Sequence, residues 1–167
     1  MISEVLSETT LARFAKEVAK YPANQKQSAV MACLAIVQQE IGFVSPASEK
    51  QIADYLGMAP IAVHEVTSFY NMYNQEATGK YKLNVCTNLP CQLREGGRAL
   101  KHLEQKLGIA IGETTADGYF TLQQCECLGA CADSPVLLVN DRTMCSFMSN
   151  DKLDQLVDGL RAAGDAQ

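Results

Sequence analysis

Two closely spaced pairs of cysteines constrain this chain more than any other feature. Four residues separate Cys86 from Cys91, and three separate Cys127 from Cys131. The first pair follows a predicted strand and the second lies between predicted strands, so each pair is expected on a loop beside a sheet. Loops of this kind allow four thiols to converge on one site. The chain must then adopt a fold that brings the two loops together.

The other cysteines and the start of the chain indicate how these thiols are used. The chain has seven cysteines, an odd number. Its first eight residues, Met1 to Glu8, are acidic and lack the positive-then-apolar order of a signal peptide. A cytoplasmic protein is therefore expected, and cytosolic thiols are kept reduced. Metal or redox chemistry is a better interpretation of the clustered cysteines than a disulfide framework.

The spacers between the paired cysteines favour an iron–sulfur cluster over zinc. Structural zinc sites prefer pairs with two intervening residues, whereas longer spacers suit the wider core of a two-iron cluster. Gly129 is expected to let the backbone approach sulfur and to donate an amide hydrogen. Water is expected to be excluded by Leu89, Pro90, Leu128 and Ala130. A zinc site and plain buried thiols are the alternatives.

Three cysteines lie outside the two pairs. Cys125 precedes Cys127 by two residues, so in a strand both side chains point the same way and Cys125 is an alternative ligand. Cys127 is favoured because it forms a compact loop with Gly129 and Cys131. Cys33 falls on the apolar face of a predicted helix and Cys145 in a predicted strand, and both are expected in the core.

The hydrophobic periodicity divides the chain near Ala77 to Gly79. Helical spacing predicts four helices at residues 11–18, 30–41, 48–56 and 60–70. The third is expected to open with a capping box of Ser48 and Gln51. Strand and helix patterns then alternate as β-α-β-β-β-α, with strands at 81–85, 119–122, 135–139 and 143–148 and helices at 93–107 and from 150 onwards. An α+β protein is predicted, with a helical bundle at 1–78 and a second domain at 79–167.

Several functional classes do not fit the sequence. The net charge is −5, and no Lys or Arg lies between Gln51 and Gly79, which argues against nucleic acid binding by the helical half. No apolar run is long enough to cross a membrane. No phosphate-binding glycine loop and no nucleophile-elbow serine is present, so no catalytic residue is expected in this chain.

Four stretches, taken together, resemble a known family. They are Leu56 to Met58, Val66 to Tyr73, Val85 to Cys91, and Glu126 to Cys131 with Pro135 following. In order and spacing they are similar to the thioredoxin-like [2Fe–2S] ferredoxin subunits of respiratory NADH–quinone oxidoreductases, designated E in bacteria. Cys125 departs from this family, in which the position is commonly aliphatic.

The resemblance implies a fold, a cofactor and a partner. The domain at 79–167 would be thioredoxin-like, and the helical region at 1–78 would dock a partner. One [2Fe–2S] cluster would be held by Cys86, Cys91, Cys127 and Cys131. It would exchange single electrons with the FMN of a flavin-bearing, NADH-binding subunit, forming a heterodimer within a larger membrane-associated complex. The chain would then lie on the cytoplasmic face of the inner membrane without entering it, as a subunit that is not a catalyst alone.

Three further interpretations remain open at this point. The equivalent subunit of an NAD-linked hydrogenase or formate dehydrogenase shares the fold, the ligands and the type of partner. A free-standing thioredoxin-like ferredoxin is disfavoured, because a diffusing carrier has no need of a helical docking region. A zinc module that serves as a structural adaptor is the non-redox alternative.

Overall fold

The computed structural model describes residues 6–165, and the chain divides into two compact units. The first unit ends at Ala77 and the second begins at Thr78. The expected absence of a signal peptide concerns residues 1–8, of which 1–5 lie outside the described residues. The assignment of the first unit to partner docking stays a prediction.

The first unit is helical and has its own core. Its helices are α1 (Glu8–Val18), α2 (Val30–Ile41), α3 (Pro46–Leu56) and α4 (Pro60–Phe69), with a 3-10 helix at Ala23–Ala29. Helix α2 buries one side almost completely, and Cys33, Leu34 and Val37 have no exposed surface. Helix α2 ends at Gly42, which has a φ of 95° that suits glycine.

The predicted start of α3 is wrong. Ser45, not Ser48, is the residue that caps this helix, and its side chain accepts a hydrogen bond from the Ser48 N–H at 3.1 Å. Pro46 occupies the first turn, where its fixed φ and missing N–H cost nothing. Gln51 makes no capping box, and its side-chain oxygen accepts instead from the Leu6 N–H at 2.9 Å.

The second unit is a four-stranded mixed sheet with helices. The strands are β1 (Tyr81–Cys86), β2 (Phe120–Cys125), β3 (Leu137–Val139) and β4 (Thr143–Cys145), in the spatial order β2-β1-β3-β4. Strands β1 and β2 are parallel, and the other two pairings are antiparallel. The helices are α5 (Leu89–Leu93), α6 (Gly96–Leu107) and α7 (Asn150–Asp165). The predicted α+β architecture with N-terminal helices is confirmed.

Several predicted boundaries in this unit need correction. The helix predicted at 93–107 begins only at Gly96, because the chain turns at Glu95, whose φ is 70°, and the short helix α5 before it was not predicted. The strand predicted at 119–122 extends to Cys125, whereas the strands predicted at 135–139 and 143–148 are shorter than expected. Polar residues at the end of β2 hid its length, since Gln123 and Gln124 break the apolar pattern.

The two faces of the sheet differ. Leu83 and Val85 of β1 face a core that includes Phe120, Leu122 and residues of α6 and α7. The opposite face carries Lys82, Asn84 and Cys86 at alternating positions, paired in register with Thr121, Gln123 and Cys125 of β2. Because β1 and β2 are parallel, their carboxyl ends meet at one edge, and this edge carries the cysteine loops.

Candidate metal centre

The first cysteine pair is buried. Cys86 is the last residue of β1, Cys91 lies in α5, and each is 1% exposed. Pro90 occupies the first turn of α5, which returns the chain toward the strand end so that the two thiols hydrogen-bond to each other. Leu89 was expected to exclude water here, but it is 68% exposed, so that expectation is wrong.

The second pair lies on the loop between β2 and β3. The Sγ atoms of Cys127 and Cys131 are 3.4 Å apart, and both residues are exposed. Gly129 takes a φ of 80° between them, and its N–H donates to Cys127 Sγ at 3.4 Å. The loop therefore turns tightly around one sulfur, as expected for a glycine at this position.

Hydrogen bonds and charge connect the two pairs. The backbone N–H of Leu128, on the second loop, donates to the Cys86 thiol of the first pair. The pKa of Cys131 is raised by its hydrogen bond with Cys127, then by burial, and also by the negative charges of Cys91 and Cys86. The four predicted ligands therefore lie in one region of the molecule.

Hydrogen bonds favour the thiolate form of Cys91. Burial opposes ionisation, but hydrogen bonds from the Ser134 hydroxyl, the Cys86 thiol and the Val136 N–H lower the pKa of Cys91 below its usual value. The Ser134 Oγ lies 3.3 Å from the sulfur. By contrast, burial raises the pKa of Cys86. A sulfur that accepts several hydrogen bonds is suited to bind a metal, because ligation requires the thiolate.

Sequence reasoning missed Ser134. This residue is 1% exposed, and its hydroxyl oxygen lies 2.6 Å from the Cys131 carbonyl as well as near Cys91 Sγ, so its single proton serves one of the two acceptors at a time. It thus connects the sulfur of one pair to the backbone of the other. The sequence carried only a weak signal, a serine three residues beyond Cys131.

Cys125 lies beside Cys86. The two residues are in register on adjacent strands, and Cys125 is 6% exposed. Burial raises the pKa of Cys125 to about 12, with further contributions led by the charge of Cys86. It packs with Cys86, Cys91 and Val136 in one buried cluster. The choice of Cys127 over Cys125 as a ligand stays a prediction.

The two remaining cysteines lie away from this region. Cys33 has no exposed surface and belongs to the core of the helical unit, as expected. Burial, followed by the charge of Glu17, raises its pKa to about 12. Cys145 in β4 is only partly buried, so its assignment to the core is correct in part.

The donor set fits an iron–sulfur cluster. Thiolates are the ligands of such clusters, and N–H groups directed at sulfur are among the interactions that adjust their potentials. Leu128 and Ala130 pack against the buried thiols and limit the access of water. Within residues 6–165, no group of three or more His, Cys, Asp or Glu side chains is arranged to hold a metal ion. The cysteines are grouped instead as two neighbouring pairs.

A comparison with protein families decides the classification. A family model described as "Thioredoxin-like [2Fe-2S] ferredoxin" matches residues 14–161. The chain belongs to this family. Membership confirms the expected thioredoxin-like ferredoxin domain and the resemblance on which it rested.

Curated relatives of this thioredoxin-like ferredoxin cover most of the chain. NADH-quinone oxidoreductase subunit 2 of Thermus thermophilus is 42% identical over 86% of this chain and 80% of its own length. The NADH-quinone oxidoreductase subunit of Rickettsia conorii that is designated E is 39% identical over 86% of each chain. The mitochondrial NADH dehydrogenase [ubiquinone] flavoprotein 2 of Dictyostelium discoideum is 38% identical over 90% of this chain, which spans 62% of that protein. The expected kinship with subunits of an oxidoreductase complex is confirmed.

A solved structure shares the fold. The crystal structure of an NAD+-reducing [NiFe]-hydrogenase in the air-oxidized state matches with a TM-score of 0.68 and 18% sequence identity. The match covers 81% of this chain but only 23% of the hydrogenase chain. At this identity the likeness concerns the fold alone.

Among the described residues, no helix is long and apolar enough to span a membrane.

Proposed function

We propose that the chain is the electron-transfer subunit of an NADH–quinone oxidoreductase and that Cys86, Cys91, Cys127 and Cys131 hold one [2Fe–2S] cluster. The observation that carries this proposal is the arrangement of these cysteines as two pairs, one buried and one on a glycine turn, joined through the Leu128 N–H. Together the two pairs would offer four sulfurs to the cluster. When bound, the cluster supplies a site that accepts and returns one electron at a time.

The protein's own residues prepare this site in three ways. The strand end and α5 hold Cys86 and Cys91 where solvent does not reach them. The N–H groups of Leu128, Gly129 and Val136 are directed at sulfur and stabilise negative charge there. Their role in this proposal is to stabilise the cluster and its charge.

The surface around the cysteine loops supports docking of a partner close to the cluster. Leu89 and Leu93 flank Cys91 and are 68% and 78% exposed. Leu93 and Phe147 border a cleft of about 420 Å³. This cleft reaches Ser134, whose hydroxyl is hydrogen-bonded to Cys91. Exposed apolar side chains of this size are typical of protein interfaces. Electron transfer to a partner requires that the cluster lie near such a surface.

The helical unit offers a second apolar surface. On α4, Ile61 and Phe69 are 63% and 79% exposed, although the helix buries Val63 and Thr67 on its other side. The exposed side chains support a docking role for residues 1–78. The proposed partner is a flavin-bearing subunit that binds NADH and FMN, and the heterodimer would belong to a complex on the cytoplasmic face of the inner membrane.

The respiratory complex is favoured over an NAD-linked hydrogenase or formate dehydrogenase. The curated relatives at about 40% identity are subunits of NADH–quinone oxidoreductases and NADH dehydrogenase. The hydrogenase likeness extends to the fold only. Identification of the subunits that co-purify with the native protein separates these two assignments.

The proposed partner exchange is testable with purified components. The cluster-loaded chain is reduced, freed of reductant and mixed without air with the oxidised flavin-bearing subunit. We expect a stable heterodimer on size-exclusion chromatography, and loss of flavin absorbance as the EPR signal of the reduced cluster disappears. Leu93→Glu is expected to weaken the complex at least tenfold, whereas the control Ile111→Glu changes another exposed apolar residue and leaves it intact. No complex and no electron exchange would contradict the proposal.

A further inference from the structure

The polar face of the sheet contains buried groups that the proposed ligands do not explain. Lys82 and Asn84 lie on the same face of β1 as Cys86 and are only 2% and 3% exposed. Lysine is almost never fully buried unless its charge is paired, since desolvation of an ammonium group is costly. A buried lysine on the strand that carries a proposed ligand is therefore expected to have a nearby negatively charged partner.

Asp141 is the partner of both buried residues, and its own side chain is 24% exposed. Its carboxylate forms an ion pair with Lys82 Nζ at 2.5 Å and accepts a hydrogen bond from the Asn84 side-chain amide. Asn140 and Asp141 form the turn after β3, with φ values of 52° and 55°. The Asn140 side chain accepts from the Lys82 N–H at 2.7 Å, and the Asn140 N–H donates to the Lys82 carbonyl at 2.8 Å. The turn thus holds Asp141 over this face of the sheet.

This charged group lies close to the cysteine cluster. Asn84 precedes Cys86 by two residues, a distance of about 7 Å along a strand. Cys125 stands beside Cys86 in register on the same face, and the hydrogen-bonded pair of Asn84 and Asp141 lies next along it. Salt screens a partly buried charge pair less than a fully exposed one. The charge of Asp141 is therefore felt where the cluster would be bound.

We propose that Lys82 and Asp141 form a partly buried charge pair that tunes the reduction potential of the cluster held by Cys86 and its three partners. This inference rests on the proposed function. Reduction adds one electron, and hence one negative charge, to the centre. An uncompensated Asp141 carboxylate opposes that charge and lowers the potential, whereas the Lys82 ammonium cancels the effect. Both residues act through the electric field at the centre and are not ligands.

The test compares midpoint potentials in full-length, cluster-loaded protein. EPR-monitored redox titrations at pH 8 are made on wild type, on Lys82→Met, and on the double variant Lys82→Met/Asp141→Asn. We expect Lys82→Met to lower the potential and the double variant, in which both charges are gone, to return it close to the wild-type value. Lys101→Met is the control, since it removes the same charge from an exposed position on α6 and is expected to leave the potential unchanged.

The opposite results are distinguishable. If the pair only supports packing, the midpoint potential of the double variant differs from wild type at least as much as that of the single variant. This result overturns the inference, and so do equal midpoint potentials in all the variants. If Lys82→Met does not fold, Asp141→Asn alone decides the matter: a raised potential supports the inference, and an unchanged or lowered one overturns it. Protein that never contains iron and sulfide overturns the proposed function and this inference together.

Discussion

At the scale of single residues, the thiols differ far more in environment than their spacing indicates. Cys86 and Cys91 are buried, Cys127 and Cys131 are exposed, and Cys125 is buried although it is not a proposed ligand. The four candidate ligands could be chosen from the sequence, because the spacing between cysteines is visible there. The burial of Cys86 and Cys91 and the hydrogen bond between Ser134 and Cys91 could not be predicted. Ser134 lies beside Cys91 only because β3, which follows it in the chain, pairs with β1.

Removal of a proposed ligand is expected to remove the cluster. Cys91→Ala and Cys131→Ala take one sulfur from each pair, so both variants should lose the cluster or hold it only weakly. Cys33→Ala is the matched control, because Cys33 lies in the core of the helical unit. It should keep full iron and sulfide content while losing about 1 kcal/mol of stability. Retention of the cluster in both ligand variants would contradict the ligand assignment.

The neighbouring thiol provides a separate test of the choice between Cys125 and Cys127. Cys125→Ala is expected to keep the cluster and its EPR spectrum, because Cys125 contributes packing to the buried thiol cluster and not ligation. Cys127→Ala is expected to remove both. An EPR spectrum that is lost in the first variant and kept in the second would show that Cys125 is the ligand.

At the scale of elements, the type and order of most helices and strands were predictable, whereas the start of α3 and the break between α5 and α6 were not. Apolar periodicity located α2 and β1 nearly to the residue, because both elements are defined by strong patterns of burial. The break at Glu95 is set by contact instead. A Cβ added at Gly96 would lie 2.8 Å from the Cys91 carbonyl oxygen, so α6 approaches the α5 backbone as only glycine permits.

This close approach makes Gly96 sensitive to substitution. Gly96→Ala meets backbone atoms that have no freedom to move aside, so we expect a loss of about 1–3 kcal/mol in the free energy of unfolding and a weaker cluster. Gly159→Ala is the control, since it lies within α7 with open space around it and should add about 0.5–1 kcal/mol. Urea denaturation monitored by circular dichroism measures both. Equal effects of the two variants would contradict the packing argument.

The turn before β2 is expected to show a pH-dependent contribution to stability. Hydrogen bonds from Thr115 and the Tyr119 N–H, with the charge of Arg161 on α7, hold the pKa of Asp117 below its usual value. A lowered folded-state pKa stabilises the protein above the unfolded value of about 3.9, and this stabilisation is lost as pH falls through the folded value. Asp117→Asn should therefore lower Tm at pH 7 and have little effect near pH 2.

Thermal melts at both pH values check this prediction, with the exposed Asp54→Asn as a control that is expected to have little effect at either. Wild type and variants carry the same cysteines, so any acid-induced loss of metal affects all of them. A Tm difference for Asp117→Asn that persists unchanged near pH 2 would contradict the ionic origin of the stabilisation.

At the scale of the whole molecule, the two units have separate parts in the proposed function. The sheet unit brings the cysteine loops to one edge, beside the exposed Leu89 and Leu93, and the helical unit exposes Ile61 and Phe69. Polar residues on the buried face, Lys82 above all, did not stand out in the sequence, because burial of a lysine depends on the turn at Asn140 and Asp141. The family resemblance predicted membership of the thioredoxin-like [2Fe–2S] ferredoxins, which no single pattern in the sequence did.

The most direct test of the central proposal is the metal, sulfide and EPR analysis of the full chain purified without air. We predict about two irons and two acid-labile sulfides per chain, no stoichiometric zinc, and the spin-half EPR signal of a [2Fe–2S] centre after reduction with dithionite. One zinc per chain, with no sulfide and no EPR signal after the same handling, would contradict the assignment of an electron-transfer function.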